Sequence, residues 1–305
     1  MQNTKNSVCV IGLWHLGSVT ASCLASLGIE TVAFDFDPDL IKNFNNYITP
    51  IYEPKLSEFI KNGIKSQTLK FTSSIEDIKN HKYYWITYDT PLGNNEEADI
   101  DSVIRDICNL NEYIKDDSIL IISSQIEVGT CDEILKIFWK KYSKKLNIFY
   151  VPENLRLGKS IDIFLNPERV VIGHDNKFKK LEVKNLINKI SDKQIWISNK
   201  SAEMVKHSIN SFLATSVVFA NEMASICEKV GANAEEVSSA LKFEKRIGKD
   251  AYISPGGPFS GGTLARDVLY LNKISKEKRI TTPLISSILV SNKNHKDWVL
   301  RLIKR

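Results

Sequence analysis

Gly12, Gly17 and Asp35 carry the plainest chemistry in the chain. Gly12-Leu13-Trp14-His15-Leu16-Gly17 follows a β-branched run and opens a helical pattern, which is where a pyrophosphate-binding turn belongs. In the pattern G-x-G-x-x-G the first glycine makes the tight turn, the second lets the phosphates approach the backbone, and the third lets helix and strand pack closely. Here the second is Trp14, whose indole must swing away from the phosphates, so the hexapeptide alone says little. Asp35 strengthens it. Placed about 20 residues on, at the end of the next strand, its carboxylate accepts both ribose hydroxyls and repels a 2′-phosphate. Gly12, His15, Leu16, Gly17 and Asp35 are therefore expected to bind a dinucleotide, and NAD is favoured over NADP. Lys206 and Asn210 form a second group: four residues apart in a helical stretch, they project from one face. Taken by itself, a lysine and an asparagine at this spacing read as a solvated polar stripe.

The elements that must position these groups are legible in outline. The first half alternates short β-branched runs with helical patterns: Ser7 to Ile11, a helix to about Gly28, then Thr31 to Asp35. Further apolar runs follow at Tyr83 to Thr87, Ser118 to Ser123, Asn147 to Val151 and Val170 to Ile172. Strands spaced by helices imply a parallel, doubly wound sheet with helices on both faces. Beyond Lys200 the strand signals stop. Ser201 to Val230 reads as one long helix, a Pro- and Gly-rich loop spans Ser254 to Gly262, and two helical segments run to the end. The fold class is α/β: a Rossmann-like doubly wound sheet over 1–197, then an all-helical central domain over 198–305.

The 305 residues, 43% apolar and 25% charged, suit two domains with cores of their own and exclude disordered and fibrous classes. A formal charge of +5 with interspersed signs gives no contiguous basic face for nucleic acid, and the basic end from Lys296 to Arg305 reads as a solvated helix terminus. No apolar stretch approaches the roughly 18 residues of a membrane span, and a cytoplasmic protein is expected. The five cysteines, Cys9, Cys23, Cys108, Cys131 and Cys227, show neither paired nor zinc-ligand spacing, so reduced thiols and no metal are expected.

Further motifs run in order along almost the whole chain. They are Pro50-Ile51-Tyr52-Glu53-Pro54-Lys55-Leu56, Thr90-Pro91-Leu92, Ser124-Gln125-Ile126-Glu127-Val128-Gly129-Thr130, Pro152-Glu153-Asn154-Leu155-Arg156-Leu157-Gly158, Asn166-Pro167-Glu168-Arg169-Val170-Val171-Ile172-Gly173, Arg246-Ile247-Gly248 and the loop from Gly256 to Asp267. This series resembles the UDP-glucose/GDP-mannose dehydrogenase family. The resemblance implies NAD as cofactor, with Thr90 and Ser124 beside it, and a nucleotide sugar or sugar phosphate as substrate in polysaccharide biosynthesis. It implies that Lys206 and Asn210 bind the developing alkoxide and that Asp267 orders a water or takes the alcohol proton. Glu153 and Thr263 stand at catalytic positions, Phe259 and Gly261 in the substrate loop, and Arg246 where an arginine reaches across a homodimer interface.

The departures from the pattern are as informative. The family oxidises an alcohol twice, trapping the aldehyde on a cysteine; aligned on Asp267, that cysteine falls on Thr263. A threonine hydroxyl needs a dedicated base before it can attack. The second glutamate of the family's P-E-x-L-x-E-G is Leu157, and the threonine of its S-T-V-P is Gln125. The groups of the first oxidation remain, which suggests an enzyme that stops after one hydride transfer, leaving an aldehyde or ketone, or one that runs that step backwards. Family members continue past the helix near Trp298 into a further nucleotide-binding domain, so either the chain is a fragment of a longer protein or the substrate is smaller or differently held. Two alternatives stand beside this reading: a non-catalytic NAD-binding homologue, and a 3-hydroxyacid or 6-phosphogluconate type of dehydrogenase.

Overall fold

The computed structural model describes residues 7–79, 81–91, 98–153, 155–175, 179–260 and 262–304. Two compact units form, the first from Met1–Pro91 and Asp99–Met204, the second chiefly from Val205–Arg305. Strands β1 (Val8–Ile11), β2 (Thr31–Phe34), β3 (Leu69–Thr72), β4 (Tyr83–Ile86), β5 (Ile119–Ile122), β6 (Asn147–Tyr150), β7 (Val170–His174) and β8 (Gln194–Ile197) make one sheet, in the order β3-β2-β1-β4-β5-β6-β7-β8. Between them run α1 (His15–Ser26), α2 (Pro38–Asn45), α3 (Leu56–Lys65), α4 (Ile75–Ile78), α5 (Ile100–Asn109), α6 (Thr130–Tyr142), α7 (Ser160–Leu165) and α8 (Lys180–Ile187).

The strands β1, β4, β5 and β6 are buried at every residue. That is why they read as unbroken apolar runs: a parallel strand covered on both faces has no polar side to alternate with. Val10 is paired with Ala33 on one side and Trp85 on the other, so β1 is the strand at which the chain's progress across the sheet reverses. Ligands of open α/β sheets bind outside the carboxyl ends of the strands at such a reversal.

The sheet is not wholly parallel. β7 runs antiparallel to β6 through Phe149 with His174 and Tyr150 with Gly173. All five cysteines are unpaired thiols, and Cys108 alone among them is not buried.

The second unit is helical. It holds most of α9 (Asn199–Val230), with α10 (Ala234–Phe243), α11 (Thr263–Glu277), α12 (Pro283–His295) and α13 (Trp298–Ile303). The long helix starts two residues earlier than its apolar pattern, at Asn199. The Asn199 side chain accepts from Tyr150 N at 3.2 Å and donates to Ile148 O at 3.3 Å, tying the first turn of α9 to β6. Glu203, fully buried one turn later, accepts from Gly129 N at 2.6 Å and Cys131 N at 2.9 Å. Its carboxylate thus caps the amino end of α6, where the helix dipole favours an anion. α10 has its own start signal, Asn233, whose Oδ1 accepts from Glu235 N and Glu236 N. Three helices rather than two follow the glycine-rich loop, because the chain breaks at Lys296 and Asp297 between α12 and α13. Ala214, Val218, Val268 and Ile288 form a core for this unit, with Phe259 and Leu264 packed against it.

Candidate active site

In the first unit the expected cofactor residues gather at the carboxyl ends of β1, β2, β4 and β5. Gly12 has φ +92°, and a Cβ there would lie 2.7 Å from Tyr88 Cδ1 and 2.9 Å from Tyr88 N. Both the left-handed backbone and the contact require glycine. Gly17 is tighter still, since a Cβ on it would sit 1.8 Å from Gly12 O. Thr87 Oγ1 donates to Ile11 O at 2.9 Å and Gly12 O at 2.8 Å, fixing the turn to the end of β4. Trp14 stands at the amino cap of α1 with its side chain 48% exposed and no side-chain hydrogen bond capping the helix. The indole does swing outward, and an uncapped helix start presents amides to an anion.

Asp35 follows β2, accepting from Leu13 N at 2.8 Å and Asp37 N at 3.1 Å. Thr90 Oγ1 donates to Gln125 O at 2.6 Å. Ser124, just beyond β5, is fully buried, and its Oγ has no hydrogen-bond partner among the described residues. The same is true of the buried Tyr88 hydroxyl. Burial, then the nearby charges of Asp106 and Asp35, push the Tyr88 phenol far above its ordinary range, so it is a neutral donor. An orphaned buried hydroxyl is costly unless a ligand satisfies it, and two of them beside a glycine turn and a ribose-type carboxylate fit a dinucleotide.

His15 is placed differently from a simple phosphate contact. Its Nε2 lies 3.0 Å from Glu53 Oε2 and 3.2 Å from Ser160 Oγ. Glu53, 4% exposed, also accepts from Gly158 N at 2.9 Å and Ser160 N at 3.0 Å. Burial by itself raises the Glu53 carboxyl, but the bonds from His15, Gly158 and Ser160 outweigh it and hold the group below the ordinary glutamate value. This knot joins α1, the segment before α3 and the start of α7, and its 105-residue span left no local signal in the sequence. Leu16 is buried in α1. Glu153 follows β6 and accepts from Leu155 N.

In the second unit the structure brings Asn210 and Asp267 together. Asp267, fully buried on α11, accepts at Oδ2 from Asn210 Nδ2. Its Oδ1 lies 2.6 Å from Nδ1 of His207, a residue the sequence reading passed over. His207 is 3% exposed and its ring stands 4.3 Å from that of Tyr270. The available signal was positional: His207 lies between Lys206 and Asn210 on one helix. Lys206 is half-buried. Thr263, one turn before Asp267 at the start of α11, is exposed and meets no side-chain base among the described residues.

The glycine-rich loop is held by amides. Asn221 Oδ1 accepts from Gly256 N at 3.0 Å, and Asn292 exchanges two bonds with the Phe259 backbone at 2.9 and 2.8 Å. The Phe259 ring packs on the helical core. Arg246 is exposed and its Nε donates to Glu244 Oε1 at 2.9 Å. Gly261, Asn154 and Leu92 lie outside the described residues.

A doubly wound sheet with a glycine turn and a carboxylate at the end of its second strand, followed by a helical unit with a buried, amide-held carboxylate, is the arrangement of a nicotinamide-dependent dehydrogenase. The comparisons with known proteins give the family. The model for the UDP-glucose/GDP-mannose dehydrogenase family, NAD binding domain, matches residues 6–192, and that for the family's central domain matches residues 200–294. A UDP-glucose 6-dehydrogenase of Rickettsia bellii is 33% identical over 291 residues, covering 94% of this chain and 67% of the relative. One from Bacillus subtilis is 30% identical, over 95% of this chain and 63% of the relative. Among solved structures, a UDP-glucose dehydrogenase from Pyrobaculum islandicum superposes with a TM-score of 0.86 at 24% identity, over 96% of this chain and 69% of that one. The chain belongs to the UDP-glucose/GDP-mannose dehydrogenase family and spans about two thirds of the length of the relatives it matches. It is an NAD-dependent oxidoreductase of the class acting on a CH–OH group of a nucleotide sugar.

Proposed function

We propose that the protein oxidises one carbinol of a nucleotide-linked sugar or sugar phosphate to an aldehyde or ketone, in a single two-electron step, for polysaccharide biosynthesis. The observation that carries this is the contrast on α11: Asp267 is buried and held by Asn210, while Thr263, one turn earlier, is exposed and meets no side-chain base among the described residues. Lys206 and Asn210 stabilise the alkoxide and Asp267 receives its proton, which is the chemistry of the first oxidation. A thiohemiacetal needs a nucleophile that Thr263 does not supply. NAD, when bound, accepts the hydride. Gly12, His15, Leu16 and Gly17 present its pyrophosphate with backbone amides, Asp35 takes the adenosine ribose, and Thr90 and Ser124 line the nicotinamide end. By the family resemblance Glu153 also serves the reaction, and Phe259 and Gly261 belong to the substrate loop. The domains divide near residue 197, where β8 ends.

The protein acts in the cytoplasm as a homodimer joined through α9, and Arg246 approaches the partner's substrate. Phe212, Phe219 and Ile226, seven residues apart on α9, remain 71, 46 and 53% exposed, an apolar stripe that a second copy would cover. Free thiols suit a reducing compartment, and among the described residues no helix is long and apolar enough to cross a membrane. The test follows reduced-nicotinamide absorbance with NAD and a panel of nucleotide sugars and sugar phosphates. One NADH per sugar consumed is expected; two per sugar, or none with any sugar, would overturn the reading.

A further inference from the structure

We propose that His207 is a positioning residue of the oxidation, orienting Asp267 to take the carbinol proton. This rests on the reading of Asp267 as the proton acceptor. His207 Nδ1 lies 2.6 Å from Asp267 Oδ1, while Asn210 Nδ2 donates to Oδ2. Asp267 is fully buried and His207 is 3% exposed, so solvent orients neither group. A carboxylate removed from water must be matched by donors, and these two come from α9, at positions three apart that share a face. With a carboxylate opposite it, Nδ1 carries the proton and donates. The Tyr270 ring, 4.3 Å away and tilted by 37°, flanks the imidazole and limits its rotation. A base oriented by a neighbouring group is the arrangement by which side chains are held ready for proton transfer. In the reaction the carbinol hydroxyl gives its proton to Asp267, two electrons leave the carbon as hydride to the oxidised nicotinamide, and nothing else is consumed. A fixed, hydrogen-bonded carboxylate loses no time to reorientation when that proton arrives.

The first test needs no substrate. A proton NMR spectrum of the full chain should show a resonance downfield of the amide envelope for the Nδ1 proton, lost in both His207→Asn and Asp267→Asn. Its absence from folded wild type, or its survival in His207→Asn, would overturn the inference even while turnover is normal. The second test uses the sugar found by the absorbance panel. His207→Phe keeps the ring and removes the donor; it should lower kcat about 100-fold, with KM and NAD affinity little changed. His207→Asn, whose amide nitrogen takes the place of Nδ1, should restore kcat to within about fivefold of wild type. A His207→Phe enzyme with wild-type kcat, or a loss confined to KM, would sink the proposal. Should His207→Phe fail to fold, His207→Gln replaces it: its nitrogen falls at the Nε2 position, so it should stay slow where His207→Asn is fast, and equal rates would count against the idea. A panel that yields no substrate refutes the oxidation while the resonance still reports on the pair.

Discussion

At the level of a single residue, cofactor choice in the proposed function rests on the charge of Asp35. Its carboxylate is already oriented by Leu13 N and Asp37 N, leaving it positioned at the end of β2 for a ribose diol. Hydrogen bonds to a charged acceptor are worth about 1.5–3 kcal/mol each, so Asp35→Ala should weaken NAD binding by at least tenfold. The same substitution should narrow the preference for NAD over NADP, because the repulsion of a 2′-phosphate goes with the charge. Titration calorimetry with both cofactors measures this, and unchanged NAD affinity would move the ribose site elsewhere. Gly17 gives a different kind of residue effect. A methyl group 1.8 Å from Gly12 O cannot be accommodated by a side-chain shift, since the obstacle is backbone. Gly17→Ala should therefore cost about 3 kcal/mol of stability and displace the phosphate turn, read as a drop in melting temperature together with lost NAD binding.

At the scale of elements, two buried carboxylates bind pieces of the first unit that are far apart in sequence. Glu53 is held below its ordinary value, so by linkage it contributes stability that is fully present above the unfolded glutamate value, about 4.3, and is lost as pH falls through the lower folded value. Wild type should thus lose stability below about pH 4.3 more steeply than Glu53→Gln, which lacks the titrating group and is less stable at neutral pH; parallel melting curves from pH 7 to 3.5 would contradict this. Glu203 caps α6 from α9. Glu203→Ala strands Gly129 N and Cys131 N and should cost about 2–4 kcal/mol, measured by chemical denaturation. Neither carboxylate was legible in the sequence as a structural brace, because each works across 70 residues or more. Six of the eight strands in the sheet were legible as apolar or β-branched runs, and so were the glycine turn and Asp35, whose roles are local; β3, with Lys70 exposed, and β8, with no residue fully buried, gave no such run. The reversal of β7 was not legible, because nothing in its five residues encodes direction. Asn210 and Asp267 were reached only through the family's motif order, and His207 not at all: a lone histidine beside a lysine has no pattern until α11 folds against α9.

For the whole molecule, the exposed stripe on α9 is the feature that most needs a partner. Phe212, Phe219 and Ile226 repeat every seven residues and Val230 lies one turn beyond, at 71% exposure. A seven-residue apolar repeat on a 32-residue helix is the geometry by which two such helices pack side by side. Aromatic side chains of this size bury about 150–250 Å² each on association, enough to make a dimer depend on one or two of them. Phe219 is central in the stripe. Phe219→Glu places a charge where an apolar seam would be desolvated, and light scattering should then show one chain per particle instead of two. Val290 on α12 is 59% exposed but outside the stripe, so Val290→Glu should leave the two-chain particle intact. A Phe219→Glu protein that remains dimeric would place the interface on another surface. If Arg246 approaches the partner's substrate, the dissociated variant should also lose turnover while keeping NAD affinity, since every residue assigned to NAD lies in the first unit.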